Sequence, residues 1–350
     1  MKQMRERCWP FRAVCLGISM ICVLGGFAFA GGERQKAPAD KVATTAIAVF
    51  IPGVMSGSPI YEMLAAGVRQ AAAEKSGVEV TVIEGGFNQA EWEPRITTLA
   101  ASGQYDLIVS SNPSLPAIAS AVSAKFPQQQ FLLLDGELAG NPRIYSMRYN
   151  QQEQAYMAGH IAALVAQDLD TRPSRIGLVA GQEYPAMNGV ILPGYLAGAR
   201  EVNPDMTVDF RVVGNWFDAG KGAELAAAMI RDGAGVILCI AGGANEGVVQ
   251  AAAEAGAKVV WFDINGYGIR PGTVVGSSIL HQDKAAYEKT KAFLEGSLPF
   301  GQADRAGVAA GYVDFVEDDP DYRASVSPGA REKQAALTAR LRSGALDLSE

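Results

Sequence analysis

From Thr44 onward, short apolar and β-branched runs alternate with longer Ala-rich stretches whose apolar positions recur at helical spacing. TTAIAVFI, VEVTVIE, YDLIVSS, QQFLLLD and RIYSMRY read as strands, and the stretches between them predict helices over 60–75, 89–102, 115–125 and 152–167. Strands buried on both faces are unbroken apolar runs, and helices of this length suit crossovers between parallel strands. The pattern then restarts. RIGLVA, MTVDFRVVG, AGVILCIAGG and AKVVWFDI are the second set of strands, with helices predicted over 188–202, 219–232 and 244–255.

Two successive sets of this kind predict an α/β protein of two doubly wound lobes, with a hinge and a central cleft, joined near Tyr149–Gln152. The late segments TVVGSSIL, a helix over 283–294 and the strand VAAGYVDFV are expected to return and complete one or both sheets, so the chain crosses between lobes several times. The expected division is 44–149 with part of 273–300 for the first lobe and 150–272 with part of 301–325 for the second. A C-terminal helix in 326–350 is read as a solvated surface helix rather than a partner site.

The N-terminus adds a cellular context. Lys2, Arg5, Arg7 and Arg12 precede the uncharged run Ala13–Leu24, and Ala28-Phe29-Ala30 is the small-x-small pattern of a signal peptidase site. This predicts a signal peptide over 1–30, a tether over 31–43 and a periplasmic or otherwise exported protein, with an uncleaved anchor as the alternative. The run is shorter than the roughly 20 residues that span a bilayer. Cys8, Cys15 and Cys22 fall in this segment, and neither Cys15, after Val14, nor Cys22, after Ile21, suits lipidation. Only Cys239 is left to the mature chain, where it reads as a buried strand thiol. Cleavage removes four basic residues and one acidic residue, taking the net charge from −7 to −10. No basic field exists for a phosphate backbone, so nucleic acid is not an expected partner.

Enzyme signatures are scarce. The chain has two histidines, His160 and His281, and it lacks G-x-S-x-G, H-E-x-x-H, the phosphate loop and closely spaced Cys or His pairs. No catalytic residue, metal or cofactor is therefore expected, and His160 reads as a packed or capping residue. The informative residues stand at strand ends. Gly53–Ser58 is a small-residue loop leading into a helix, Ser110, Ser111 and Asn112 end the third strand, and Asp135 ends the fourth. NWFDAGKG places Trp216 and Phe217 before an expected N-cap at Asp218, AGGANEG supplies Gly242 and Gly243, and WFDING sets Trp261, Asp263 and Asn265 together. Carboxylates and amides beside aromatic faces suit a polyol or ribose attached to a flat ring. Helix capping is the alternative role for Asp263.

NQQEQAYMAGHIAALVA, GYLAGAREVNPDMTV, GNWFDAGKGAELA, ILCIAGGANEGVVQAAAEAG and WFDINGY together resemble the basic membrane protein family, purine-nucleoside-receptor-like substrate-binding proteins of ABC importers. The resemblance runs from about Ala46 to Ala292 and implies a type I periplasmic binding protein fold and capture of a small molecule for a permease in the inner membrane, with the binding protein acting as a monomer. It implies that Asp263 clamps ribose hydroxyls, with Gly242 and Gly243 as the glycine loop before it and Asp135 as a second matching aspartate. The family's Asp-x-Ser-Phe-Asn aligns with Gly57, Ser58, Pro59, Ile60 and Tyr61, its second stacking phenylalanine falls on Ile191, and a lysine falls on His281. A kept clamp with a rebuilt ring pocket, using Tyr61, Tyr184, Trp216, Trp261 or Tyr267, makes riboflavin the expected ligand. A purine nucleoside is the alternative, and a periplasmic nucleoside hydrolase is a more distant one. The ligand-binding residues expected are Asp263, Tyr61, Asp135, Trp216, Gly242, Gly243, Asn265, Trp261 and Ser58.

Overall fold

The computed structural model describes residues 45–169 and 174–348; the expected signal peptide and tether lie outside them. The first lobe begins with β1 (Thr45–Ile51), α1 (Pro59–Ala73), β2 (Val78–Glu84), α2 (Trp92–Ser102), β3 (Leu107–Ser111), α3 (Leu115–Lys125), β4 (Gln130–Leu134) and β5 (Ile144–Tyr149). The second follows with α4 (Gln151–Asp168), β6 (Arg175–Ala180), α5 (Leu192–Val202), β7 (Thr207–Val212), α6 (Ala219–Arg231), β8 (Val236–Ile240), α7 (Asn245–Ala255) and β9 (Lys258–Asp263). Then come β10 (Val274–Leu280), α8 (Gln282–Leu294), β11 (Ala303–Ala306), β12 (Val313–Phe315), α9 (Pro320–Ser325) and α10 (Pro328–Arg342).

Two six-stranded sheets result, ordered β11-β5-β4-β3-β1-β2 and β12-β10-β9-β8-β6-β7. Every pairing is parallel except β10 with β12. The central strands are buried along their length, as in β3 and β8, which explains their unbroken apolar runs. The late elements divide between the sheets: β10 and β12 join the second, β11 joins the first, and α8 packs on α1. The chain thus passes between lobes after β5, after β10 and after β11.

Polar side chains fasten these passages to each other. Tyr149 Oη donates to Gln282 Oε1 at 2.6 Å, Arg305 donates to Asn150 Oδ1 at 3.1 Å, and the Val308 amide donates to Glu153 Oε2 at 2.7 Å. Helix α4 starts at this hinge and is buried nearly all round, which an apolar run through Ala155–Ala166 permits. It packs on α5 through Gly159 and Gly198, where backbone meets backbone.

Three local expectations need correction, and one strand was not expected. The helix expected from Asn188 opens with a π turn at Met187–Ile191 before α5, a wider turn that redirects side chains. The strand expected over VAAGYVDFV forms only at Val313–Phe315. Strand β11, of sequence ADRA, carries two charges in four residues and gives no apolar signal. Helix α10 is amphipathic rather than simply solvated: Leu337, Leu341 and Gln334 are buried, and it packs on α4, where Gln334 bonds His160 at 2.7 Å. His160 is accordingly a packed residue. Cys239 is fully buried, and burial pushes its thiol well above the usual range. No described helix is long and apolar enough to cross a membrane.

Candidate binding cleft

The carboxyl ends of the parallel strands carry the polar and aromatic groups, as the doubly wound topology requires. In the first lobe these are the loop after β1, Phe87 after β2, Asn112 after β3 and Asp135 after β4. In the second they are Tyr184 after β6, Trp216 after β7, Gly242 and Gly243 after β8, and Asp263 at the end of β9.

Asp135 and Asp263 share a backbone feature that sequence could not disclose. Their φ values are 54° and 73°, and among the described residues they are the only non-glycine residues with positive φ. That conformation is disfavoured for an L residue by about 1–2 kcal/mol, and such strain concentrates at functional sites. It turns each side chain out of the pleat alternation at the strand terminus. Asp263 caps no helix; its Oδ1 accepts from Gln154 Nε2 at 3.1 Å.

The two carboxylates feel each other. Burial, and then the charge of Asp263, push the Asp135 carboxyl up to about 7, with Arg148 opposing. Burial raises Asp263 to about 6, against the hydrogen bond from Gln154. Both also raise Tyr149, which burial already places well above its ordinary range, and Tyr184. One aspartate from each lobe, with Tyr149 from the hinge strand and Tyr184, therefore forms a single electrostatic unit.

Aromatic rings flank this unit. Tyr61 is half-buried, donates to Pro52 O at 3.2 Å and interacts with the Asn112 side chain, and burial pushes its hydroxyl up to about 12. Gly53 gives it room: an added Cβ would meet Tyr61 at 3.3 Å and Phe87 at 3.6 Å. Phe87 is 74% exposed. Across from them Trp216 is 39% exposed, with its ring centroid 6.2 Å from that of Tyr184. The glycine loop positions Trp216: Gly243 N donates to its carbonyl at 2.8 Å, and a Cβ on Gly242 would fall 2.7 Å from the same oxygen.

Other expected site residues have structural duties. Asn265 donates to Asp319 Oδ2 at 2.9 Å and accepts from the Tyr267 amide at 3.1 Å, so its amide staples the loop after β9 to α9. Trp261 packs against Gly266 and the second-lobe core, bracing that same loop. Tyr267 is fully buried against Tyr322. Ser58 stands at the N-terminus of α1 with its hydroxyl making no capping bond. Ile191 is fully buried, and the second lobe's strand-end loops expose Trp216 and Phe217 and part of Tyr184. Sequence reasoning passed over Phe87 and Gln154. An aromatic immediately after the glycine pair that follows β2 was a usable signal for the first; the second had none beyond an amide-rich helix start. Among the described residues no group of three or more His, Cys, Asp or Glu side chains could hold a metal ion.

The raised carboxyls have a stability consequence. A carboxyl with a folded-state value above the ordinary 3.9 or so holds its proton longer in the folded protein, so its contribution is full below about pH 4 and is lost as pH rises towards 7. Asp135→Asn, which tolerates positive φ, should raise the melting temperature of the ligand-free protein more at pH 8 than at pH 5. Equal shifts at both pH values would contradict the electrostatic account.

Comparisons with known proteins fit this architecture. The family model of PnrA-like ABC transporter substrate-binding proteins matches residues 44–346. A nucleoside-binding protein, BmpA, of an ABC transporter in Lactococcus lactis subsp. cremoris is 32% identical over 148 residues, 42% of this chain and 40% of its own length. An uncharacterised lipoprotein of Pyrococcus abyssi is 27% identical over 245 residues, 67% of this chain and 58% of its own. The alignments with the first few curated relatives thus span only about four-tenths of their length. A solute-binding protein of an ABC transporter system from Aeropyrum pernix K1 superposes with a TM-score of 0.75 at 22% identity, covering 87% of this chain and 93% of the other. One from Conexibacter woesei gives 0.66 at 20% identity, covering 87% and 99%. The fold is that of the type I periplasmic binding proteins, and the chain belongs to the PnrA-like family of ABC transporter substrate-binding proteins.

Proposed function

We propose that this chain captures a flat heteroaromatic ring bearing a ribose or ribityl arm and delivers it, as an exported monomer, to an ABC permease. The observation that carries the reading is the pair Asp135 and Asp263, one at a strand end of each lobe, each on a left-handed backbone and near enough for the charge of Asp263 to raise the Asp135 carboxyl. An ionised carboxylate accepts hydrogen bonds from two vicinal hydroxyls, which matches a polyol. Tyr61, Phe87, Tyr184 and Trp216 offer ring faces on both sides of that clamp.

A purine nucleoside is the leading ligand, supported by the nucleoside-binding relative. Riboflavin is the second reading, favoured by the exposed indole of Trp216 and phenyl of Phe87, which offer contact area for a wider ring system. Titration with guanosine, inosine and riboflavin, followed by tryptophan fluorescence and calorimetry, separates them. The expected result is saturable binding of one class with a dissociation constant at or below about 1 μM, near −8 kcal/mol. Absence of binding by all three overturns the reading, and turnover of a nucleoside to base and sugar would replace it with a hydrolase.

A further inference from the structure

Gln154 is fully buried in the first turn of α4, 109 residues from Asp263 in sequence. Its Nε2 donates to two acceptors, Asp263 Oδ1 and the Ser278 carbonyl, each at 3.1 Å. Because both neighbours accept, the orientation of the amide is settled, and its Oε1 is left buried without a donor. The Gln154 carbonyl in turn accepts from Ser278 Oγ at 2.8 Å, so the residue is fixed to β10, the strand beside β9. A buried acceptor without a partner lowers stability. An apolar side chain of similar shape would not carry that penalty, so packing alone does not account for glutamine here.

We propose that Gln154 is a positioning residue for ligand capture: its amide holds the Asp263 carboxylate ionised and aimed at the ligand's hydroxyls. The inference rests on the proposed role of Asp263 as the hydroxyl clamp. Gln154 is the hydrogen-bond donor that the described residues supply to this carboxylate. The titratable groups that act with Asp263 in the cleft are Asp135 from the end of β4, Tyr149 from β5 and Tyr184 from the loop after β6. None of the three offers Asp263 a positive charge, which leaves a neutral amide to orient it.

Gln154→Met keeps length and volume and removes the donor. Affinity for whichever nucleoside or flavin the parent binds should fall about tenfold or more, the size seen when a bond that orients a metal ligand is lost, and the melting temperature of the free variant is measured alongside because the Asp263 Oδ1 and the Ser278 carbonyl lose this donor. The fall should be steeper at pH 6 than at pH 8, because the clamp now protonates at higher pH. Carboxyl-carbon NMR of the ligand-free proteins, with Asp263→Asn identifying the signal, should show the Asp263 titration midpoint moved upward in Gln154→Met. This measurement holds even if none of the three ligands binds, an outcome that would sink the ligand assignment alone. An unchanged midpoint overturns the positioning role, as does unchanged affinity in a protein where Asp263→Asn weakens binding. If the methionine variant does not fold, Gln154→Asn, one methylene short of the carboxylate, is read in the same way.

Discussion

Replacing Asp263 with glycine should weaken ligand binding about 100-fold or more and leave the free protein at least as stable as the parent. A hydrogen bond to a charged group contributes about 1.5–3 kcal/mol, and loss of two such bonds to ligand hydroxyls amounts to a factor of 100 or more in the dissociation constant. Glycine is the informative substitution because φ is 73° at this position, where glycine alone adopts the conformation without strain. It also removes a carboxyl that burial disfavours. Asp263→Asn separates charge from shape: the amide tolerates the backbone but accepts at one oxygen, so its affinity should fall between parent and glycine variant. Titration calorimetry at pH 8, where the parent carboxylate is ionised, is the measurement. An unchanged dissociation constant in Asp263→Gly would move the clamp to Asp135.

The strand-end position of both aspartates was legible because each closes an apolar run, LLLD and WFD, and a parallel sheet carries such a residue to its carboxyl edge. The strain at those residues was not legible, since φ is set by how the strand end packs rather than by any local motif. Trp216 was legible from its place between a strand and the Asp218 N-cap, which the structure forms through the Lys221 amide at 2.9 Å. Trp261 and Asn265 share a motif with Asp263, yet the alternation along β9 sends the indole to the core, and α9 claims the amide through Asp319. Helix α9 is six residues long and gave no periodicity to read, so nothing in the sequence announced that competition. The doubly wound lobes were readable because buried parallel strands repeat as apolar runs. Strand β11 was not, because pairing with β5 at a sheet edge does not require apolar side chains.

Gly159→Ala should destabilise the protein by about 3 kcal/mol or more, at the upper end of overpacking effects, even though alanine is the better helix former by roughly 1 kcal/mol. The reason is the closeness of α4 and α5. A Cβ at Gly159 would drive into the backbone carbonyl of Tyr195, and the reciprocal Gly198 faces the carbonyl of Tyr156 in the same way. A carbonyl cannot change rotamer to make room, so relief requires the helices to separate. Tyr195 itself is fully buried and donates to the Gly177 carbonyl at 3.1 Å, which ties α5 to β6 and blocks that movement. Gly329 is the matched control: it lies in α10 with no atom within 4 Å of an added Cβ, so Gly329→Ala should be neutral or stabilising. Because α4 also carries Gln154 to Asp263, any Gly159→Ala protein that still folds should bind ligand more weakly than the parent. Thermal and chemical unfolding of the three proteins decides the matter, and a Gly159→Ala variant as stable as the parent would show that the α4–α5 crossing is looser than its backbone contacts imply.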